Sequence, residues 1–364
     1  MERYAVIGLQ FGDEGKGLFT DYLASNDCVV ARFSGGQQAG HTVVTETDRH
    51  VFSNFGSGTL KGARTYWSEH CTFFPINFVG EYKQLEALGY EPEIYINRKC
   101  PVTTLYDAYH NRTDEKNVKD GTCGLGVGAT FERESKFYSL LYEDLFNQPV
   151  LDIKFKMIQS YYGMDDIGHE EFFDAIEFIK SKKNIHMVDY DMLDRKVYLQ
   201  YNTIVYEGSQ GLLLDQHIGF FPHVTRADTG TKNIKDNVDE VFYITRAYQT
   251  RHGNGPMLNE SVKYNINDNP DETNVTNENQ GAFRKAMLNV NLLQYAIDKD
   301  NFKGVKHLGI TCLDHLNSFD YIYNDEIIKC NYKEAFISDI GKLLGISSIY
   351  ISSSPNSKNI KKFM

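Results

Sequence analysis

Apolar positions in this chain come in short runs separated by glycine-rich or polar turns. Residues 4–8 read as a strand, and the LFTDYLA stretch from Leu18 reads as a helix after a glycine-punctuated turn, the order of a nucleotide-binding strand–loop–helix. A second apolar run at 28–33 leads through SGGQQAGH into a strand at 41–44. Further strands are predicted at 93–97, 186–188, 203–206, 304–311 and 347–352, with helices at 80–88, 170–181, 238–248 and 288–298. Strands alternating with helices predict an α/β fold, a mostly parallel central sheet flanked by helices, with a P-loop-like phosphate-binding loop after the first strand. One domain is expected over residues 1–364. The stretch 265–278 (NINDNPDETNVTNE) is poor in apolar residues and predicts a solvated loop, and the KNIKKFM tail is expected to fray.

Composition narrows the classes. Hydrophobic residues at 41% and charged residues at 24% exclude wholesale disorder and fibrous repeats for the 364-residue chain. With no run of about 18 apolar residues and no signal-peptide pattern, a soluble cytoplasmic protein is expected. A net charge of −11, from 38 basic against 49 acidic residues, opposes non-specific attraction to nucleic acid or an anionic membrane. Neither is an expected partner, and any phosphate ligand needs a local site. Six cysteines without a CxxC pair predict mostly buried, reduced thiols and no cysteine metal site.

The local site is expected in two loops. GLQFGDEGKG (residues 8–17) sets glycines and Lys16 between a strand and a helix, where backbone N–H groups turn toward an anion, the helix N-terminus adds positive potential and the ammonium reaches terminal phosphates. Gly17 stands where the usual GxxxxGK[ST] loop has a magnesium-binding hydroxyl. Asp13 repels phosphate unless it has work to do there, as a magnesium ligand, as a general base, or as both. In GGQQAGHT (residues 35–42), His41 sits at a loop–strand junction suited to assisting a transferring phosphoryl group.

These two loops resemble the signature loops of adenylosuccinate synthetases, and further blocks extend the resemblance. GTCGLGVGATFE from Gly121 is similar to the loop that grips a substrate 5′-phosphate, with Thr122 and Cys123 where two threonines are usual. YEGSQGLLLD carries Gln210 at a purine-contacting position, FPHVTRADT carries Thr225 at a phosphate-contacting one, and TRHGNGP from Thr250 is similar to a TRVGxGP turn. The resemblance implies that a nucleoside triphosphate phosphorylates O6 of a purine monophosphate, after which the L-aspartate amine displaces that phosphate. It also implies Asp13 as the base for purine N1, His41 and Lys16 as the groups assisting phosphoryl transfer, and Mg²⁺ held by Asp13 and Gly40. Gly12, Glu14, Gly15, Gly17, Gly40, Thr42 and Asp314 would contact the triphosphate, while Gln38, Thr122, Cys123, Gln210 and Thr225 would contact the monophosphate. A homodimer is implied as well.

Three departures bear on specificity. The family's aspartate-binding TTGRRR loop reads Asn279-Gln280-Gly281-Ala282-Phe283-Arg284-Lys285 here, leaving Gly281 and Arg284, with Lys285 as support, to hold the aspartate carboxylates. The guanine-reading TKLD reads Thr311-Cys312-Leu313-Asp314, and STGPD reads Ser353-Ser354-Pro355-Asn356, which admits ATP in place of GTP. Gln38 is one methylene longer than the usual asparagine. A phage-encoded branch of the family, which joins aspartate to dGMP with ATP on the way to 2-aminoadenine nucleotides, resembles this chain in its short length and its QGxxR stretch. The expected reaction is therefore dGMP with ATP, in a host cytoplasm if the gene is a phage's. IMP with GTP is the alternative, and a non-catalytic nucleotide-responsive regulator is the alternative of another class.

Overall fold

The computed structural model describes residues 1–114, 122–192, 197–267 and 281–364. The chain runs through β1 (Glu2–Gly8), α1 (Lys16–Leu23), β2 (Cys28–Arg32), the pair β3 (His41–Val44) and β4 (Arg49–Phe52), β5 (Arg64–Trp67), α2 (Pro75–Ala87) and β6 (Ile94–Asn97). Helices α3 (Leu105–Thr113), α4 (Val127–Ser135), α5 (Gln148–Tyr162) and α6 (His169–Ser181) come next, then β7 (Ile185–Val188), β8 (Thr203–Gly211), β9 (Glu240–Arg246), β10 (Tyr248–His252) and β11 (Phe283–Asn289). The remainder is α7 (Val290–Asp300), β12 (Val305–Thr311), β13 (Phe319–Tyr323), β14 (Glu326–Cys330), α8 (Lys333–Leu344), β15 (Ser348–Ile351) and β16 (Lys361–Lys362).

Ten strands form the main sheet in the order β16-β15-β12-β9-β1-β8-β2-β5-β6-β7. All neighbours are parallel except the edge pair β15–β16. β1 lies at the centre, with Tyr4, Ala5 and Val6 opposite Val205, Tyr206 and Glu207 on one side and opposite Glu240, Val241 and Phe242 on the other. Successive residues of β1 enter different cores, Ala5 and Ile7 in one and Val6 in another, because side chains alternate across a sheet covered on both faces.

The same double burial explains a correction. The segment 238–248, expected as a helix, is the buried strand β9 followed by the start of β10. Val241 and Tyr243 face one core while Phe242 and Ile244 face the other, so residues 241–244 are apolar throughout and carry no period that separates strand from helix. Helix α3 was not expected from periodicity, yet its start is fixed by a capping box in which the Thr104 side chain accepts from Asp107 N and the Thr104 amide donates to Asp107 Oδ2 at 2.7 Å. None of the six cysteines forms a disulfide, but only Cys28, Cys71 and Cys100 are buried, whereas Cys123, Cys312 and Cys330 are partly exposed. Among the described residues no helix is long and apolar enough to cross a membrane. Most of the polar stretch 265–278 lies outside the described residues.

Candidate active site

The carboxyl ends of β1, β8, β9 and β12 open onto one cavity of about 1040 Å³, the place where open parallel sheets bind ligands. The loop after β1 forms its floor. Gly12 and Gly15 both have φ +94°, and Asp13 has φ +62°, a left-handed backbone that a residue with a Cβ adopts at a cost of order 1–3 kcal/mol. Arg246 at the end of β9 braces this turn, its Nε donating to the Asp13 carbonyl at 2.5 Å. Gly17 lies in the first turn of α1, where an added Cβ would stand 2.8 Å from His41 Cβ, so the helix presses directly on the start of β3.

Asp13 faces the cavity with its carboxylate paired to His252, whose Nε2 lies 3.2 Å from Oδ2. Burial alone raises the carboxyl. The His252 hydrogen bond and the positive charges of Arg246 and Lys16 outweigh burial and hold Asp13 below its ordinary range, so it is ionised near neutral pH. Lys16 also lines the cavity, its ammonium 2.5 Å from Glu14 Oε2.

His41 is the other fixed group. Its Nδ1 donates to Glu207 Oε1 at 2.6 Å, and Glu207 is fully buried while accepting from both the amide and the hydroxyl of Ser57. Burial raises the Glu207 carboxyl, but His41, Arg32 and Ser57 together bring it down to about 2. The imidazole is pushed downward by burial, against the raising effect of Glu207, with Arg32 and Lys16 adding to the fall. With Nδ1 committed to Glu207, Nε2 is the atom left for a ligand, and it is buried with no hydrogen-bond partner among the described residues. Gln38 Oε1 and Gln210 Oε1, both on cavity-lining side chains, are in the same condition. His223 Nδ1, Arg251 Nε and His252 Nδ1, also on cavity-lining residues, bring these to six buried polar atoms that a polar ligand could satisfy.

The remaining expected residues divide into two groups. Gly12, Gly15, Gly17, Gly40, Thr42, Thr122, Cys123, Thr225 and Asp314 line the cavity together with Asp13, Lys16, Gln38, His41 and Gln210. Glu14 does not. It is buried beneath the loop, accepting from the amides of Gln10 and Gly12 at 3.0 and 2.9 Å and pairing with Lys16, which makes it a staple of the loop rather than a surface for an anion. Gly281 and Arg284 are not among the described lining residues; the Arg284 guanidinium lies 2.9 Å from Glu260 and donates to the Gly255 carbonyl, and the neighbouring residues 268–280 fall outside the described ones. Gly121, Asn279 and Gln280 fall outside the described residues. Sequence reasoning missed Glu207, Arg246 and His252. Glu207 sits inside the quoted YEGSQG block and His252 inside TRHGNGP, but nothing local shows that a residue some 160 to 240 positions away is its partner.

The adenylosuccinate synthetase family model matches residues 5–359 of this chain. The chain belongs to the adenylosuccinate synthetase family. An adenylosuccinate synthetase of Thermoplasma volcanium is 28% identical over 361 residues, covering 93% of this chain and 82% of the relative. Among solved structures, the fully ligated Plasmodium falciparum adenylosuccinate synthetase aligns with a TM-score of 0.80 at 18% identity, covering 99% of both chains. A cyanophage S-2L succinoaminodeoxyadenylate synthetase bound to dGMP and dATP aligns with a TM-score of 0.68 at 18% identity, covering 99% of this chain and 95% of that one. As an adenylosuccinate synthetase relative, the chain is a carbon–nitrogen ligase that adds aspartate to a purine nucleotide using a nucleoside triphosphate.

Proposed function

We propose that the purine nucleotide is dGMP and the phosphoryl donor ATP, the reaction running through a 6-phosphoryl intermediate. The observation that carries the purine choice is the pair of unpartnered buried acceptors, Gln38 Oε1 and Gln210 Oε1, on the cavity that holds Asp13. The N1–H common to guanine and hypoxanthine is taken by Asp13, but guanine alone adds a 2-amino group with two N–H donors, so guanine can satisfy these acceptors where hypoxanthine has no donor left. The donor choice rests on Cys312, which lines the cavity where a lysine stem would support guanine. The cyanophage enzyme of the same fold, bound to dGMP and dATP, supports both choices. IMP with GTP is the second reading, favoured by Asp314, which keeps a carboxylate on the cavity, and by the Thermoplasma relative.

In the proposed cycle the Asp13 carboxylate accepts the N1 proton, charge shifts to O6, and O6 attacks the γ-phosphorus as the diphosphate leaves. Lys16 and His41 Nε2 face the charge that develops on the transferring group. The aspartate amine then attacks C6, the C6–O bond breaks, and phosphate departs with the former O6. The Asp13 carboxylate and the Gly40 carbonyl are hard oxygen donors on one cavity, and no cluster of three or more His, Cys, Asp or Glu is present among the described residues. That donor set fits Mg²⁺, which takes few protein ligands and completes its shell with phosphate oxygens and water. When bound, Mg²⁺ neutralises charge on the triphosphate.

Phosphate release and product mass for dGMP, GMP, dAMP and IMP, each with ATP or GTP and L-aspartate, test this reading. Ligation of aspartate to dGMP with ATP is expected. Turnover confined to IMP and GTP overturns the substrate choice, and nucleotide binding without aspartate-dependent phosphate release would make the chain a regulator.

A further inference from the structure

His252 is the polar side chain that grips the Asp13 carboxylate, and its placement comes from a second sheet. β10 and β11 pair antiparallel with His252 directly opposite Phe283, and the two rings lie 4.7 Å apart between centroids. The Arg246 guanidinium lies over the same Phe283 ring at 5.9 Å. Phe283 therefore backs both groups that hold Asp13, the imidazole on its side chain and the guanidinium on its main-chain carbonyl. His252 Nδ1 is buried and has no hydrogen-bond partner among the described residues, so the contact of Nε2 with Asp13 is what orients the ring polarly. Asp13 needs such a hold, because its left-handed backbone points a short side chain out of a loop rich in glycine.

We propose that His252 is a positioning residue for the ligation, its Nε2–H fixing the Asp13 carboxylate toward the purine while Phe283 fixes the imidazole. Valine occupies this place in the TRVGxGP turn that TRHGNGP resembles, and valine has no donor. The proposal rests on Asp13 acting as the base. It names the group that aims that base.

The test compares full-length His252→Gln, His252→Asn, His252→Val, Phe283→Leu and Asp13→Ala with the parent protein, measuring aspartate-dependent phosphate release with dGMP and ATP and, in parallel, IMP and GTP. His252→Val should lower kcat by roughly tenfold to hundredfold, the scale of a displaced reacting group, with KM for both nucleotides nearly unchanged. His252→Gln should recover most of that loss, since its amide N–H reaches where Nε2 stood, whereas His252→Asn is too short and should not. Phe283→Leu should fall between the parent and His252→Val. Parental kcat in His252→Val, or equal losses in the Gln and Asn variants with raised KM, overturns the proposal. If His252→Val does not fold, the Gln and Asn pair decides alone. Substantial turnover by Asp13→Ala would instead remove the base assignment, whatever the His252 variants do.

Discussion

Asp13, Lys16 and His41 are each held by a second group, His252, Glu14 and Glu207 respectively, at 3.2, 2.5 and 2.6 Å. On the same cavity, Cys312, Asp314 and Ser354 sit on turns after β12 and β15, and Asp314 is 44% exposed with His315 Nε2 as a loose neighbour at 3.6 Å. In the proposed cycle the first region would handle protons and phosphoryl groups, whose transfer depends on placement within fractions of an ångström, and burial of interlocked charges would supply that placement. The second would read a base edge, where a substitution changes preference without unseating other side chains. Cys312 and Ser354 depart from the family's signature blocks here, as Gln38, Cys123, His252 and residues 279–285 do elsewhere, while the charges of the phosphate loop are complete.

If the contrast is right, the largest effect belongs to Asp13. Asp13→Ala should reduce kcat by roughly 10²–10⁴-fold, the range for loss of a general base, while nucleotide binding measured by calorimetry persists. His41→Asn comes next, with kcat lower by about 10²–10³-fold and KM little altered, as for removal of one group facing developing charge. Steady-state kinetics separate this from a binding role, which would raise KM instead. Glu207→Gln leaves the imidazole in place but weakens its anchor, so a smaller loss of roughly 10–100-fold in kcat is expected, on the scale known for carboxylates behind functional histidines. The Glu207 carboxylate also gives a pH signature. Its folded value of about 2 lies below the ordinary carboxylate value, so its contribution to stability is complete above that ordinary value and is lost as pH falls toward 2. Thermal melts of the parent and Glu207→Gln should therefore converge with acidification, and a gap that widens would contradict the pairing.

The smallest effect tests the second region. Cys312→Lys should move the ratio of kcat/KM for GTP over ATP upward by about tenfold, equivalent to roughly 1.4 kcal/mol, without a comparable change in the kcat obtained with the preferred donor. A collapse of kcat with both donors would show that this region is as tightly coupled to the chemistry as the Asp13 region.

Much of this organisation was legible in the chain itself where the relevant residues are contiguous. The phosphate loop declares itself because glycines, Asp13 and Lys16 fall within ten residues between a strand and a helix, and the structure sets those residues on the cavity. Glu14 was not separable from them, because only its burial and its acceptance of two loop amides distinguish a staple from a ligand contact. The pairing of Arg284 with Glu260 was not legible either, because Glu260 lies on a different segment. His252 and Arg246 meet Asp13 only because β9 lies beside β1 and β10 continues from β9, a long-range pairing that was further hidden when 238–248 read as a helix. A continuous apolar run buried on both faces carries no period to reveal its structure.

The central claim is that a carboxylate on the glycine loop lets O6 of the purine take up the γ-phosphoryl group before aspartate arrives at C6. Turnover of purine monophosphate labelled with ¹⁸O at C6, followed by mass analysis of the released inorganic phosphate, measures this most directly. The account predicts one ¹⁸O in each phosphate released with a succinylated product, and labelled phosphate from Asp13→Ala only at a rate lower by roughly 10²–10⁴-fold. Unlabelled phosphate accompanying a correctly ligated product would contradict it.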